Sequence, residues 1–392
     1  MRILHCNTLE KRGGAARSAR RIVECLNENG VEAKYYYLFK DEQESKSFIP
    51  KIDAIPRLLF SRRKGIPFST SIFSFGNRRV VEKYNPDIVH LHYINMGLFS
   101  IKDIGSFNVP VVWTLHDSWA FTGGCHLPEG CENYTLECKN CPALGLDKNI
   151  KLSSYILSLK EKHWKDKDIT LVCPSNWIAQ KAKRGHLFDK KKIIVIPNPI
   201  DTDVFKPRDK EKARKKFNLE QEKKYILFGA INPTGDKNKG FKYLKKALSR
   251  LNLKNTELLL LGTEEEVESK IPVKSMGYID NDEDLSYLYS AADICINSSL
   301  SENLPNVLIE SLSCGTPCVG FDTGGIPEII DRQEFGKVVE RYNTERLARA
   351  IEDILNKKHI YNREMMNNEV KEKYGYKVIA QRYTNLYEKL AS

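Results

Sequence analysis

The chain has 392 residues, 41% of them hydrophobic, which is enough for two or three domains with sizeable cores. No apolar run approaches ~18 residues, so no membrane-spanning helix is expected. The first residues turn polar too soon for a signal peptide. Together these features predict a cytoplasmic protein. The 62 basic against 51 acidic residues give a net charge of +11, which favours anionic partners such as nucleotides or acidic lipids; no nucleic-acid motif accompanies it, so a nucleic-acid partner is not expected.

Strand and helix patterns alternate through the first half of the chain, with a helical pattern at about 15–29. This alternation predicts a parallel, doubly wound sheet whose ligands bind beyond the carboxyl ends of the strands. The pair Gly13-Gly14 follows the first predicted strand, and glycine lets the backbone approach a phosphate or a sugar closely. His116 and Asp117 follow a central strand and are expected at the same edge. The predicted strands are 3–6, 33–38, 88–92, 111–115, 171–173 and 193–196.

Residues 56–68 form the densest short basic stretch beside apolar residues. One interpretation is a peripheral contact with an anionic membrane, with Leu58, Leu59 and Phe60 dipping into it. The other is a solvated loop with a few buried apolar anchors. The helical pattern is short and broken, and it favours neither interpretation.

Four of the ten cysteines fall close together, namely Cys125, Cys131, Cys138 and Cys141. Four thiolates in one loop are typical of a structural zinc site, and a cytosolic setting disfavours disulfides. His126 is an alternative ligand for one thiolate position. The competing interpretation is a set of buried free cysteines or redox-labile pairs.

The segment 196–201 reads Ile-Pro-Asn-Pro-Ile-Asp and is predicted to be a linker, because two prolines flank one asparagine after a strand. A second alternating series follows it, and a helical pattern covers 377–390. We therefore predict two similar Rossmann-like domains. The predicted strands of the second are 225–229, 258–261, 275–277, 294–297, 318–321 and 337–339.

Two carboxylates, Glu302 and Glu310, flank the predicted start of a helix that Pro305 opens and Gly315 ends. At ~1.5 Å rise per residue their backbones lie roughly 8–10 Å apart. A helix N-terminus between them favours an anion. The ligand that fits this spacing has sugar hydroxyls at one end, a diphosphate in the middle and a ribose at the other end, as in a nucleotide sugar.

Two other polar patterns are interpreted without a metal. His90 and His92 alternate on one predicted strand, so they face the same side and are taken as packing or supporting groups. Asp-x-Asp triplets begin at Asp166, Asp201 and Asp282, and chance accounts for them in a chain with 51 acidic residues. No catalytic metal is predicted.

Five signals in a fixed order resemble the retaining glycosyltransferases of family four, which have the GT-B fold. They are Gly13-Gly14, His116-Asp117, the 196–201 linker, Lys239-Gly240 before a helix, and Glu302-x7-Glu310 followed by Cys314-Gly315-Thr316-Pro317. The resemblance covers nearly the whole chain. It implies two facing Rossmann-like domains, with the acceptor in 1–196 and the nucleotide sugar in 197–376. The helix at 377–392 is expected to cross back to the N-terminal domain.

The resemblance also implies roles for single residues. Lys239 would neutralise the diphosphate leaving group, and His116 would steady charge developing on the donor sugar. Glu302 would hold sugar hydroxyls, and Glu310 would hold the ribose hydroxyls. Each has an ordinary alternative: a solvated loop lysine, a strand-end His-Asp pair, a surface-loop charge or an exposed helix glutamate.

One element of the family pattern is missing. Members usually carry an arginine soon after the strand that precedes the lysine, where this chain reads Gly229-Ala230-Ile231. Lys237 is the candidate to replace it. Gly277-Tyr278 resembles the family's base-contacting backbone. The other residues assigned to donor binding surround the helix start, and they are Asn303, Leu304, Asn306 and Val307.

The sequence therefore predicts a retaining hexosyltransferase that moves a sugar from a UDP- or GDP-sugar to a glycan or lipid-linked acceptor. Cell-surface polysaccharide biosynthesis, at the inner face of the membrane, is the expected setting. A phosphorylase-like enzyme on the same fold would need a pyridoxal-binding lysine and a far longer chain. A non-catalytic nucleotide-sugar or glycan-binding module on the same fold is the alternative, and the missing arginine is what favours it.

Overall fold

The computed structural model describes residues 1–40, 67–144, 151–356 and 361–391. The basic stretch proposed as a membrane contact, 56–68, therefore lies almost wholly outside the described residues. The chain divides into two compact units, Met1–Asn198 with Ile379–Ser392, and Pro199–Val378. Each unit contains a sheet of six parallel strands, so the predicted α/β class with two doubly wound sheets is confirmed.

The sheet of the first unit has the strand order β2-β1-β3-β4-β5-β6. Its strands are β1 (Arg2–Leu9), β2 (Glu32–Phe39), β3 (Ile88–Leu91), β4 (Val111–Thr114), β5 (Ile169–Cys173) and β6 (Ile193–Val195). Strands β3, β4 and β5 are buried at every position, which explains their nearly continuous apolar sequences. The helices of this unit are Gly14–Glu28, Arg78–Tyr84, Ile101–Gly105, Leu152–Trp164, Asn176–Arg184 and most of Tyr376–Ala391.

The sheet of the second unit has the order β12-β11-β10-β7-β8-β9. Its strands are β7 (Lys224–Gly229), β8 (Thr256–Leu261), β9 (Val273–Gly277), β10 (Ile294–Asn297), β11 (Cys318–Phe321) and β12 (Gly336–Val339). The helices are Lys210–Lys216, Phe241–Leu248, Asp282–Ala291, Asn306–Ser313, Ile326–Ile329, Thr344–Asn356 and Arg363–Tyr374. Apolar clusters lie on both faces of this sheet, so it forms the middle layer of its unit.

Each sheet has a point at which successive strands are added on opposite sides. In the first unit this point lies between β1 and β3, and in the second between β7 and β10. Loops that leave such neighbouring strands diverge and open a crevice at the carboxyl edge of the sheet. The loop after β7 carries Lys239 and the loop after β10 carries Glu302, so the topology alone brings these two residues near each other.

Two glycines hold the loop after β10 from either side. Gly240 and Gly324 have left-handed backbone angles, φ +70° and +60°. A Cβ on Gly240 would lie 1.9 Å from the carbonyl oxygen of Ser298, and one on Gly324 would lie 1.5 Å from the carbonyl oxygen of Glu302. Both positions therefore require glycine, and the close backbone contacts fix the loop that carries Glu302.

The last helix, Tyr376–Ala391, begins in the second unit and belongs to the first from Ile379 onward. Tyr383 and Tyr387 are fully buried against the first unit. None of the helices in the described ranges has the length and apolar character needed to cross a bilayer.

Replacing Gly240 by alanine is expected to cost roughly 3–4 kcal/mol in the free energy of unfolding, because the new methyl group meets backbone and not a yielding side chain. Gly130→Ala is the matched control, since Gly130 has φ +66° but no atom within 4 Å of the place that a methyl group would take. The control should lose only about 1–2 kcal/mol, the cost of the left-handed conformation. Urea denaturation measures both; equal losses would contradict the role given to the Ser298 contact.

Candidate functional site

Lys239 and Glu302 form an ion pair in the second unit. Lys239 ends the short 3-10 turn Lys237–Lys239, and its Nζ lies 2.9 Å from Oε2 of Glu302. The side chains are 26% and 19% exposed. Burial acts to lower the pKa of Lys239, but Glu302 and Asp236 outweigh it, and the pKa is raised. The structure thus brings together two residues singled out from the sequence, and each neutralises the other.

The loops that carry this pair are joined by hydrogen bonds to main-chain carbonyl groups. The Leu300 N–H donates to the Asn238 carbonyl at 2.7 Å, and the Asn238 side chain donates to the Ser301 carbonyl at 2.8 Å. The Thr323 hydroxyl donates to the Leu300 carbonyl at 3.0 Å, which adds the loop after β11. Three strand-end loops therefore set the position of the ion pair together.

Glu310 lies inside the helix Asn306–Ser313 and is 2% exposed. Its Oε2 accepts a hydrogen bond from the Tyr289 hydroxyl at 2.7 Å. The sequence predicts a ligand as a partner of this buried carboxylate, and the structure adds a partner from the protein itself. A carboxylate has about four acceptor positions, and the Tyr289 hydroxyl takes one of them.

The N-terminus of the same helix lies over the end of β7. Pro305 is its cap residue in extended conformation and gives no side-chain cap, and the helix begins at Asn306. A Cβ on Gly229, the last residue of β7, would lie 3.4 Å from Cγ2 of Val307. Asn303 and Leu304 belong to the turn before the cap, and the Leu304 side chain packs into the core.

The remaining predicted donor-binding residues of this unit are more exposed. Tyr278 follows β9 and is 53% exposed. Lys237, the candidate for the missing arginine, is exposed as well. At the arginine position, a Cβ on Gly262 would lie 1.8 Å from the Ala230 carbonyl oxygen, so close backbone packing occupies the region around Ala230.

In the first unit, His116 and its neighbours line a small cavity at the end of β4, together with His92, Tyr93 and Asp117. The Nε2 atom of His116 lies 3.0 Å from Nδ1 of His92. Burial lowers the pKa of His116 to about 4, although Asp117 opposes this, so the ring is neutral near pH 7. The sequence pattern identifies His92 only as a packing or supporting group and does not indicate this contact.

Gly13 and Gly14 occupy the loop between β1 and its helix, at the switch point of the first sheet. Gly13 has φ +99°, and a Cβ on either glycine would meet no atom within 4 Å. The space next to both residues is open, which suits close approach of a ligand to the backbone.

The four clustered cysteines line one cavity of the first unit, so the structure brings them together. The Cys138 sulfur accepts a hydrogen bond from the Gly123 N–H at 3.1 Å. Among the residues described, the ligand atoms of His5, His90 and His92 lie within 4.8 Å of one another, but no three of these sulfur atoms lie that close together. A bound ion would therefore have to draw the sulfur atoms inward. His126, the alternative ligand, instead contacts Asp117 at 2.7 Å and Ser69 at 2.9 Å through its two ring nitrogens.

Two family models match successive parts of the chain. The model for Glycosyltransferase Family 4 matches residues 12–204, and the model for glycosyl transferases group 1 matches residues 209–373. The two matches leave only short segments outside them.

Curated relatives are similar over most of the chain. A putative colanic acid biosynthesis glycosyl transferase of Escherichia coli K12, WcaC, is 24% identical over 86% of this chain and 87% of its own length. The D-inositol 3-phosphate glycosyltransferase of Mycobacteroides abscessus is 27% identical over 75% of this chain, which spans 64% of that relative.

Solved structures share the fold along the whole chain. Sucrose-phosphate synthase of Thermosynechococcus elongatus superposes with a TM-score of 0.71 at 18% identity, covering 100% of this chain and 99% of that one. HepE of Anabaena, solved in complex with UDP-glucose, superposes with a TM-score of 0.65 at 15% identity, covering 100% of both chains. These likenesses establish the GT-B fold.

The ion pair leads to a prediction about anion binding. Replacing Glu302 by glutamine is expected to tighten binding of inorganic pyrophosphate several-fold, because Lys239 is no longer neutralised by a carboxylate 2.9 Å away. Isothermal titration calorimetry measures the affinity. Glu266→Gln, which removes an exposed carboxylate from the same unit, is the charge-matched control and should change little. Unchanged or weaker binding by Glu302→Gln would contradict the neutralising role.

Proposed function

The chain belongs to the group 1 glycosyltransferases of family 4, and from this membership we propose that it transfers a sugar from a nucleoside-diphosphate sugar to an acceptor hydroxyl, with retention of configuration. The observation that supports this most is the Lys239–Glu302 ion pair at the switch point of the second sheet, together with the buried Glu310 in the next helix. A cation, two carboxylates and a helix N-terminus are the groups that a sugar diphosphate requires.

In the proposed reaction the second unit binds the donor. The diphosphate replaces Glu302 as the ion-pair partner of Lys239. The Glu302 carboxylate can then accept hydrogen bonds from sugar hydroxyls. Glu310, held by Tyr289, accepts from the two ribose hydroxyls, and the backbone near Tyr278 contacts the base. The N-terminus of helix Asn306–Ser313 stabilises the departing phosphate.

The first unit is proposed to bind the acceptor, with Gly13 and Gly14 leaving room beside the backbone. His116 is the group proposed to steady positive charge on the donor sugar. No nucleophile is assigned, and the leaving phosphate is proposed to accept the acceptor proton on the same face. No catalytic metal enters this scheme.

We propose a UDP- or GDP-sugar as donor, supported by the UDP-glucose bound to the Anabaena structure. The proposed acceptor is a glycan or lipid-linked glycan of cell-surface polysaccharide biosynthesis, at the inner face of the membrane. The name of the Escherichia coli relative, which refers to colanic acid, supports this choice. The formal charge of +11 is consistent with an anionic surface as a peripheral partner.

Sugar transfer is tested with purified protein and a panel of UDP- and GDP-sugars, by measuring release of the nucleoside diphosphate with acceptor extracts. Lys239→Ala and Glu310→Ala are each expected to lower turnover by about 10²-fold or more, because each removes a charged contact to the donor. Lys246→Ala, which removes an exposed lysine from a neighbouring helix, is the control and should keep wild-type turnover. Donor binding by the wild type with no turnover would indicate a binding module instead.

We also propose that Cys125, Cys131, Cys138 and Cys141 hold a structural zinc ion. They belong to a stretch between β4 and helix Leu152–Trp164 whose only regular structure, within its described part, is two short 3-10 turns, Trp119–Phe121 and Asn133–Thr135. A stretch with so little backbone pairing gains much from a cross-link.

A buried lysine adds support for zinc. Lys160 is fully buried and donates to the carbonyl groups of Trp119 and Thr122. Burial lowers the pKa of Lys160 to about 7, and negative charge on Cys138 and Cys125 acts to raise it. Zn²⁺ with four thiolates carries a net negative charge, which an ammonium group at this position would offset.

Metal analysis of the purified protein is expected to find about one zinc per chain. Cys131→Ser and Cys141→Ser, which change the two partly exposed members, should each release most of it. Cys173→Ser changes a buried cysteine on β5, outside the cluster, and should retain the metal. Less than about half an equivalent in the wild type would count against the site.

A further inference from the structure

Three imidazoles, those of His5 and His92 buried and that of His116 half-buried, form a continuous hydrogen-bonded chain in the first unit. Nε2 of His116 lies 3.0 Å from Nδ1 of His92, and Nε2 of His92 lies 3.0 Å from Nδ1 of His5. His5 is 0% and His92 is 3% exposed. The three residues come from β1, the end of β3 and the end of β4, so neighbouring strands of the sheet place them in a row.

The row ends at the last helix of the chain. The Tyr387 hydroxyl lies 3.5 Å from Nε2 of His5 and 2.6 Å from Nδ1 of His90. Nε2 of His90 lies 2.7 Å from the Thr114 hydroxyl. The 3.5 Å contact is at the limit of a hydrogen bond, so the hydrogen-bond coupling weakens there. The ring of His90 packs 4.4 Å from that of His5 and 4.5 Å from that of His92, and its own hydrogen bonds go to Thr114 and Tyr387.

All three imidazoles of the row are neutral near pH 7. Burial lowers the pKa of His5 to about 3 and that of His116 to about 4, and burial with the neighbouring histidines lowers the pKa of His92 well below its ordinary value. A neutral imidazole has one N–H and one bare nitrogen. Each contact in the row therefore needs a donor on one ring and an acceptor on the other.

This requirement couples the three tautomers. If His92 donates from Nδ1 to His116, then its Nε2 must accept from Nδ1 of His5, and all three rings carry the proton on Nδ1. If His116 donates from Nε2, the same argument puts the proton on Nε2 in all three. Mixed tautomers would bring two donors or two bare nitrogens to 3.0 Å, which is unfavourable in a buried site.

We propose that His92 and His5 are positioning residues that fix the tautomer and the orientation of His116. The His116 ring that faces the cavity at the end of β4 then carries its proton on one defined nitrogen. The catalytic consequence rests on the sugar transfer proposed above, whereas the shared tautomer does not. An imidazole whose protonated nitrogen is set by a buried partner offers a preorganised dipole with little cost of reorganisation during the reaction.

A metal ion is the competing explanation for this group. The ligand atoms of His5, His90 and His92 lie within 4.8 Å of one another. Both ring nitrogens of each of these residues are already within 3.5 Å of a hydrogen-bonding partner. An ion would have to displace several of these contacts, and so the hydrogen-bonded row accounts for the arrangement more simply.

The tautomers are measured directly by ¹⁵N NMR of protein labelled only at histidine, since the chain has eight histidines. At pH 7, His5, His92 and His116 are expected to share one neutral tautomer, each with widely separated shifts for its two ring nitrogens. In His92→Phe, the two shifts of His116 should move towards each other. Different tautomers among the three residues, an imidazolium, or shifts typical of metal-bound nitrogen would overturn the proposal.

The kinetic test compares His92→Phe with His90→Phe. Both variants replace a buried histidine by phenylalanine, and the two positions are two residues apart. His92→Phe is expected to lower kcat about 10- to 100-fold, as loss of an orienting partner of a functional imidazole does, with the donor KM within about twofold. His90→Phe should leave kcat and the His116 shifts near wild type. His92→Gln, which can donate and accept, should recover part of the loss.

Equal losses of kcat in His92→Phe and His90→Phe would show that only packing is affected and would overturn the positioning role. Thermal unfolding of each variant checks that both fold. Absence of transfer by the wild type would count against the proposed function, and the NMR measurement would still decide whether the tautomers are coupled.

Discussion

The polar groups of the second unit depend on the hydrogen bonds to main-chain carbonyl groups that join the loops after β7, β10 and β11. These bonds run between Asn238, Leu300, Ser301 and Thr323 and involve no charged side chain. Every acceptor is a main-chain carbonyl group, and the donors are one main-chain N–H, one amide and one hydroxyl, so these bonds do not involve the side chains of Lys239 and Glu302. This frame of hydrogen bonds thereby holds a pair of opposite charges that would otherwise sample many positions.

In the first unit, contacts between side chains hold the polar groups in place. Its central strands are too deeply buried for water to satisfy polar groups, so each imidazole must find its partner in another ring or hydroxyl. The result is a set of neutral groups in which each member constrains the next. The two units thus use different means, a charged pair and a neutral row, to keep polar groups ordered at the carboxyl edge of a sheet.

The fold could be predicted from the sequence, because it depends on local signals: alternating apolar runs and helical patterns indicated both sheets. Glu302 and Glu310 were singled out by their spacing around a predicted helix start, and Lys239 by the resemblance to the family. The partners of those residues could not be predicted. Tyr289 reaches Glu310 from a different helix, and nothing in its neighbourhood distinguishes it from other helical tyrosines.

The cysteines show what the sequence can indicate, and the histidines show what it cannot. Four cysteines close in sequence signal one cluster through their spacing alone. His5 and His92 are far apart in sequence, and their contact follows only from the strand order and from the parallel register that pairs His5 with His90. Long-range partners of this type depend on topology, which residue spacing does not encode.

The last helix has a consequence for how the chain is made. Tyr387 completes the core of the first unit and lies 382 positions beyond its partner His5. During synthesis on a ribosome, the second unit has all its strands before this helix emerges, whereas the first unit keeps an uncovered surface until the helix has been made. The unit that is begun first is therefore completed only after the strands of the second, and its early state is the one that chaperones would meet.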